Sequence, residues 1–285
     1  MIYGIKTIAR YALGTDVAGR ALAVRPDDTF IVSYPRSGNT WMRFLMANLL
    51  HPSESITFAN VEQFIPDAEA QSSRYMKRQR GPRVIKSHQY FDHRYPIVIY
   101  VVRDPRDVAL SYYDFARKYR HLEDQVSREV FIGDFVHGRL NSASWGTWGE
   151  NVGSWTAARQ GQPSFLLLRY EDLIAKTEFE LARVARFLNV AASADVLRHS
   201  IDRSSVEHMR KLEQHPGGAT IATKNARADI PFVGTATVGR WRAQLTQRSV
   251  REIEEAWGPL MTQLGYELVS KSIPEPAGLK VLVNS

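Results

Sequence analysis

Cysteine is absent from the 285 residues, so no disulfide, thiolate nucleophile or CxxC metal site can be built. Long uncharged apolar runs are absent as well. The N-terminal MIYGIKTIARYALG has Lys6 and Arg10 among its apolar residues, which predicts neither a signal peptide nor a spanning helix and leads to the expectation of a cytoplasmic protein. Ile2, Ile5, Ile8 and Ala9 mark one face of a basic amphipathic helix, expected to dock on the protein's own core, with a membrane surface as the alternative. The chain has no internal repeat and no low-complexity tract. The GxxxxGK[ST] loop of P-loop kinases is missing, since only Gly38 precedes Asn39 and Thr40. Nor does it show the interleaved stacking aromatics and cations of nucleic-acid modules, so nucleic acid is not an expected partner.

What is present is a 44% hydrophobic chain with 37 basic and 30 acidic residues, a net +7 that favours anionic ligands without choosing among them. One domain over residues 1–285, with its core at about 29–265, is the simplest organisation. Apolar, β-branched runs at Thr29 to Ser33, Val84 to Lys86, Ile97 to Val102 and Phe165 to Leu168 read as buried strands, with room for crossover helices between them. The expected fold is therefore α/β, a central parallel sheet flanked by helices. Asp104 and Pro105 start a helix through Val108, Tyr112 and Phe115, and Glu171 to Phe187 reads as another. The stretch from His215 to Trp241 is irregular and long enough to be a mobile cover loop.

After the first strand comes YPRSGNTW, followed by Trp41, Phe44, Leu45, Asn48 and Leu49 at helical spacing. A strand, a tight loop and a helix start make a P-loop-like anion site, because the first N–H groups of a helix lack intrahelical partners and face the positive end of its dipole. Ligands of open α/β sheets bind beyond the carboxyl ends of the strands. That rule gathers Arg36 to Trp41, then Lys86, Ser87 and His88, then Arg103 and Ser111, then Arg169 and Tyr170. Cations, hydroxyls, a histidine and flat rings at one edge suit an aromatic nucleotide with two anionic ends.

The ordered set YPRSGNTW, IKSH, YVVRDPRDVALSYYDF, RYEDL and VGRW resembles the cytosolic-type sulfotransferases, which move a sulfuryl group from 3′-phosphoadenosine 5′-phosphosulfate (PAPS) to an acceptor hydroxyl or amine, leaving 3′-phosphoadenosine 5′-phosphate (PAP). The likeness runs from about Thr29 to Trp241. It implies that Arg36, Ser37, Gly38, Asn39, Thr40 and Trp41 hold the phosphosulfate, that Arg103 and Ser111 hold the 3′-phosphate, and that Trp41, Tyr170 and Ser204 contact adenine. It implies His88 as general base, Arg36 and Lys86 as catalytic cations, Phe115 beside the acceptor, and no metal. The implied acceptor is a small-molecule, carbohydrate or lipid hydroxyl, its walls drawn from Ser53 to Arg83 and Leu140 to Gly153. The oligomeric state is open.

The chain departs from the family pattern at three places. Arg36 stands where a lysine is usual; it keeps the charge but cannot readily give up a proton, so it is expected to stabilise charge rather than act as an acid. Gly234, Thr235 and Ala236 stand where relatives carry Arg-Lys-Gly, and Arg227, Gly239 with Arg240, or Arg242 are the candidates to restore a phosphate contact. Val206 replaces an aromatic shelf. A P-loop-type kinase and a non-catalytic nucleotide or polyanion binder are the competing readings.

Overall fold

Four strands, β1 (Thr29–Ser33), β2 (Val84–Ser87), β3 (Ile97–Val102) and β4 (Phe165–Arg169), pair in the order β2-β1-β3-β4, all parallel. The computed structural model describes residues 16–140, 144–214, 226–227 and 229–270. The N-terminal amphipathic segment and part of the expected cover loop, 215–225 and 228, lie outside the described residues. Between and after the strands come α1 (Asn39–Leu50), α2 (Val61–Phe64), α3 (Ser73–Arg78), α4 (Pro105–Lys118), α5 (Arg128–Val136) and α6 (Trp148–Arg159). Then follow α7 (Tyr170–Ala175), α8 (Thr177–Phe187), α9 (Ala194–Arg203), α10 (Val206–Gln214), α11 (Trp241–Gln244) and α12 (Gln247–Gln263).

Successive strand side chains point to opposite faces, and the two cores follow that period of two. Phe30, Val32, Val98, Tyr100 and Val102 pack on one face with Val108, Phe131, Trp148, Trp155 and Trp257. Ile31, Ile99, Val101 and Leu168 pack on the other with residues of α1, α8 and α9. Both faces are covered, as an all-parallel sheet requires.

Two expectations need correcting. The helix after YPRSG was expected to bury one stripe, yet Met42, Met46 and Ala47 are buried along with Phe44, Leu45, Asn48 and Leu49, because α1 lies under the sheet with α9 against its outer side. The single helix expected over Glu171 to Phe187 is two, α7 and α8, broken at Lys176, whose φ of −141° and ψ of 48° are not helical.

From β1 the chain moves outward to β2, then returns past β1 to β3. The carboxyl ends of β1 and β3 thus flank the topological switch point, where open sheets of this kind leave a crevice. The loop carrying Arg36 and the residue Arg103 leave from those two strand ends.

Candidate active site

The loop after β1 is built to approach something closely. Arg36 has φ 69° and Gly38 φ 96°, both in the left-handed region that disfavours side chains. A Cβ on Gly38 would lie 2.4 Å from Cδ2 of Tyr170, so the glycine is required by the ring pressed against it as well as by its own backbone. Gly38 is also the N-cap of α1, and no side chain caps that helix. By helix geometry the N–H groups of Asn39, Thr40 and Trp41 have no intrahelical acceptor. Ser37 is buried and its Oγ has no hydrogen-bond partner.

Cations surround this open helix start. Buried cations elsewhere are matched: Arg43 by Glu62, Arg83 by Asp28, Lys86 by Asp67, Arg106 by Asp104 and Glu254, Lys118 by Glu213. Arg103 is 7% exposed and has no carboxylate partner among the described residues; it donates to the carbonyls of Arg36 and Thr237, each at 3.3 Å, and its Nε has no partner. Neither neighbouring carboxylate pairs with it: Asp104 is taken by Arg106, and Asp107 accepts from the backbone N–H groups of Gly239 and Trp241. Arg36 donates through Nε to Ser111 Oγ at 3.3 Å and lies 4.7 Å over the Phe115 ring. Burial, with Arg103 as neighbouring like charge, brings the Arg36 guanidinium down to about 10. Two guanidiniums with backbone or hydroxyl partners only, beside unpaired N–H groups and an orphaned hydroxyl, form a site that an anion would complete.

The adenine candidates meet at the same edge. The Trp41 and Tyr170 rings meet edge to face, centroids 5.9 Å apart, and Arg103 lies 4.4 Å over Tyr170. Ser204 is set behind them: it is fully buried, its carbonyl accepts from Trp41 Nε1 at 2.9 Å and its hydroxyl from Asn48 at 3.2 Å. Ser204 thus helps to orient Trp41, while its own O–H is not needed for either of these bonds. Asn39 is similarly redirected, its Nδ2 donating to Ile31 O at 3.3 Å and Ser33 Oγ at 3.1 Å, which leaves its backbone N–H facing the loop.

His88 follows β2 and is half-buried. Its Nδ1 lies 2.7 Å from the Ser33 carbonyl, which can only accept, so Nδ1 carries the proton and Nε2 the lone pair. Burial, followed by the Lys86 ammonium, lowers the imidazole to about 3, so the ring is neutral at all ordinary pH. Desolvation thus moves the ring well below the near-neutral value of a free imidazole. Lys86 is not a free cation: its ammonium is 2.8 Å from Asp67 and 3.4 Å from Glu69. Although burial opposes it, Lys86 holds the Asp67 carboxyl well below the usual range, while burial pushes Glu69 up. Glu69 also accepts from Ser87 Oγ at 2.9 Å and from the His88 N–H at 3.0 Å.

The substitute phosphate contacts are engaged elsewhere. Arg240 pairs with Asp114 at 3.0 Å, Arg242 with Glu267 at 3.0 Å, and Arg227 with Asp124 and Asp229 at 2.6 and 2.7 Å. The backbone N–H groups of Gly239 and Trp241 donate to the Asp107 carboxylate at 2.6 and 3.0 Å. VGRW is thus anchored to α4 by Asp107, a residue that sequence reasoning passed over although it sits in RDPRDV. Asp67, Glu69, Ser33 and Asn151 were missed as well; their partners are distant in the chain, and no local pattern announces them.

A family model described as "Sulfotransferase domain" matches residues 26–265. Sulfotransferase 1C2 of Oryctolagus cuniculus is 25% identical over 254 residues, 84% of each chain. The 3-beta-hydroxysteroid sulfotransferase of Cavia porcellus is 26% identical over 254 residues, 85% of this chain and 86% of its own. Among solved structures, a mouse sulfotransferase complexed with PAP superposes with a TM-score of 0.68 at 21% identity, covering 90% of both chains. A retinol dehydratase in complex with retinol and PAP gives 0.66 at 20% identity, covering 86% of this chain and 84% of its own. The structural likenesses carry the fold, and with the family match extending through both strand-end loops, the chain is a member of the sulfotransferase domain family.

Proposed function

We infer that this enzyme transfers a sulfuryl group from PAPS to the hydroxyl of a small-molecule acceptor, releasing PAP, and that the switch-point site does the chemistry. The observation that carries the reading is Arg103: a buried guanidinium without a carboxylate partner among the described residues, beside Arg36 and the uncapped start of α1. The N–H groups of Asn39, Thr40 and Trp41, with Ser37 Oγ, hold the 5′-phosphosulfate at the positive end of the helix. Arg103 and Ser111 hold the 3′-phosphate, and Trp41 with Tyr170 forms the adenine wall. Arg36 lies between the two anionic ends and offsets charge that grows on the bridging oxygen as the S–O bond lengthens.

His88 takes the acceptor proton on Nε2 as the oxygen attacks sulfur. With its ring neutral over the whole working range, the base is always in its accepting form, at the cost of low basicity until a negative donor raises its proton affinity. Lys86 reaches the phosphosulfate only by exchanging Asp67 and Glu69 for it, so its share in catalysis is conditional on donor binding. Phe115 lies under Arg36 and packs at a tilt against Tyr119, whose ring centroid is 4.4 Å away, and Trp145 meets His88 edge to face at 6.5 Å. These rings fit a flat, apolar alcohol or phenol as acceptor.

Incubation of the protein with PAPS and a panel of hydroxylated compounds, read by mass spectrometry, tests the reading. The expected result is an acceptor gaining one sulfuryl group without added metal. PAP binding with no sulfated product from any compound would establish a non-catalytic nucleotide binder instead.

A further inference from the structure

The backbone that carries His88 is held on its N–H side by Glu69 and from its carbonyl onward by one helix. From α6, Asn151 Nδ2 donates to the His88 carbonyl at 3.0 Å, Trp155 Nε1 to the Gln89 carbonyl at 2.9 Å, and Ser154 Oγ accepts from Phe91 N at 3.1 Å. The first residue of the same helix, Trp148, donates from Nε1 to the Arg103 carbonyl at 3.1 Å. Asn151 differs from the others because it links the base to the sheet. It is 0% exposed, and its Oδ1 accepts from the Tyr100 hydroxyl at 2.6 Å while Nδ2 also donates to the Trp145 carbonyl at 3.0 Å. Both carbonyls can only accept, so the amide orientation is determined by its partners.

Tyr100 lies inside β3, paired with Val32, and Ser33 ends β1, paired with Val101, on the two strands that flank the switch point. His88 is therefore fixed from two central strands. Its ring is held by Nδ1–H on the Ser33 carbonyl, its N–H by Glu69, and its carbonyl by Asn151 braced against Tyr100. A ring anchored only through Nδ1 would still swing with its backbone, and a shift of about 1 Å is enough to spoil in-line proton transfer. An apolar residue at 151 would take the amide donor from the buried His88 carbonyl and the acceptor from the Tyr100 O–H, so the polar triad would rearrange rather than stay put.

We propose that Asn151, braced by Tyr100, is a positioning residue for His88, aiming Nε2 at the acceptor hydroxyl. The proposal rests on the reading of His88 as the base. Its test uses Asn151→Ala and Tyr100→Phe, with three readouts: single-turnover sulfuryl transfer, PAP affinity by calorimetry, and the His88 Nδ1–H resonance by ¹⁵N NMR. Expected for Asn151→Ala is a fall in turnover of about 10- to 100-fold, with PAP affinity unchanged and the Nδ1–H signal broadened by exchange. Tyr100→Phe keeps the ring in the core and should lower turnover by about 3- to 10-fold with the same spectral signature, so it carries the test if the alanine variant fails to fold. An unchanged Nδ1–H signal overturns the proposal, whether turnover is retained or falls together with PAP affinity and melting temperature as it would for a purely structural staple. His88→Asn in parallel separates the two readings: full turnover in that variant removes His88 as base, while the Nδ1–H signal in the other variants still decides whether Asn151 orients the ring.

Discussion

Two helices leave adjacent strands at the same edge of the sheet, and their first turns are finished in opposite ways. The start of α4 is closed: Asp104 caps it by accepting from the Arg106 N–H at 2.9 Å, Pro105 occupies the first position, and Arg106 is neutralised by Asp104 and Glu254. The start of α1 is open: Gly38 offers no side chain, Ser37 Oγ is orphaned, and the nearby guanidiniums of Arg36 and Arg103 meet only carbonyls, a hydroxyl and rings. The same dipole is thus used in one place for the fold and, under the proposed function, left in the other for an anion. A helix start that leaves its donors unspent sacrifices stability that a bound ligand returns.

Four substitutions or conditions sharpen that contrast. The largest effect belongs to the closed start. Asp104→Ala removes a cap and leaves Arg106 short of a partner in a buried place, so thermal or urea unfolding should show a loss of about 3–5 kcal/mol. PAP affinity should stay the same in the folded fraction; a parallel loss of affinity would mean the two starts are not independent. At the open start, Gly38→Ala forces a Cβ against Tyr170 and a strained φ, which should cost about 1–3 kcal/mol of stability and weaken PAP as well. Ser37→Ala should leave stability unchanged or slightly raised, since it deletes an unsatisfied hydroxyl, while calorimetry should show PAP weakened by about 0.5–1.5 kcal/mol.

The smallest effect concerns pH. Because the folded His88 is lowered to about 3 against an unfolded value of about 6.5, the unfolded chain takes up its proton first. The contribution of this ring to stability is complete above pH ~6.5 and drains away as pH falls toward the folded value. In the donor-free protein, NMR should therefore show no titration of the His88 ring between pH ~5 and ~8. A midpoint near neutrality would show the ring to be solvated rather than desolvated.

Much of this contrast is written locally. Strand runs, the YPRSGNTW turn and the Asp104–Pro105 start can each be read from a few consecutive residues, since backbone conformation and capping are short-range. The burial of α1 all round was not legible, because it depends on α9, more than a hundred residues away in the chain. Residue roles shifted for the same reason. Lys86 looked like a free cation until Asp67 and Glu69 arrived from the preceding loop, and Arg240 looked available until Asp114 of α4 met it. Ser204 is bonded to Trp41 and Gly239 to Asp107, contacts that come from distant parts of the chain. Charge type at a position can be read from sequence, whereas charge compensation depends on partners brought together by folding.

The central claim is that Arg103 is buried without a carboxylate because a donor phosphate is its partner. Calorimetric titration of PAP and of AMP into the wild type and Arg103→Ala tests it most directly. The account predicts that the wild type binds PAP far more tightly than AMP, and that Arg103→Ala loses about 1.5–3 kcal/mol of PAP affinity with little change toward AMP. Equal affinity of the wild type for the two nucleotides, or an unaltered PAP affinity in Arg103→Ala, would contradict it.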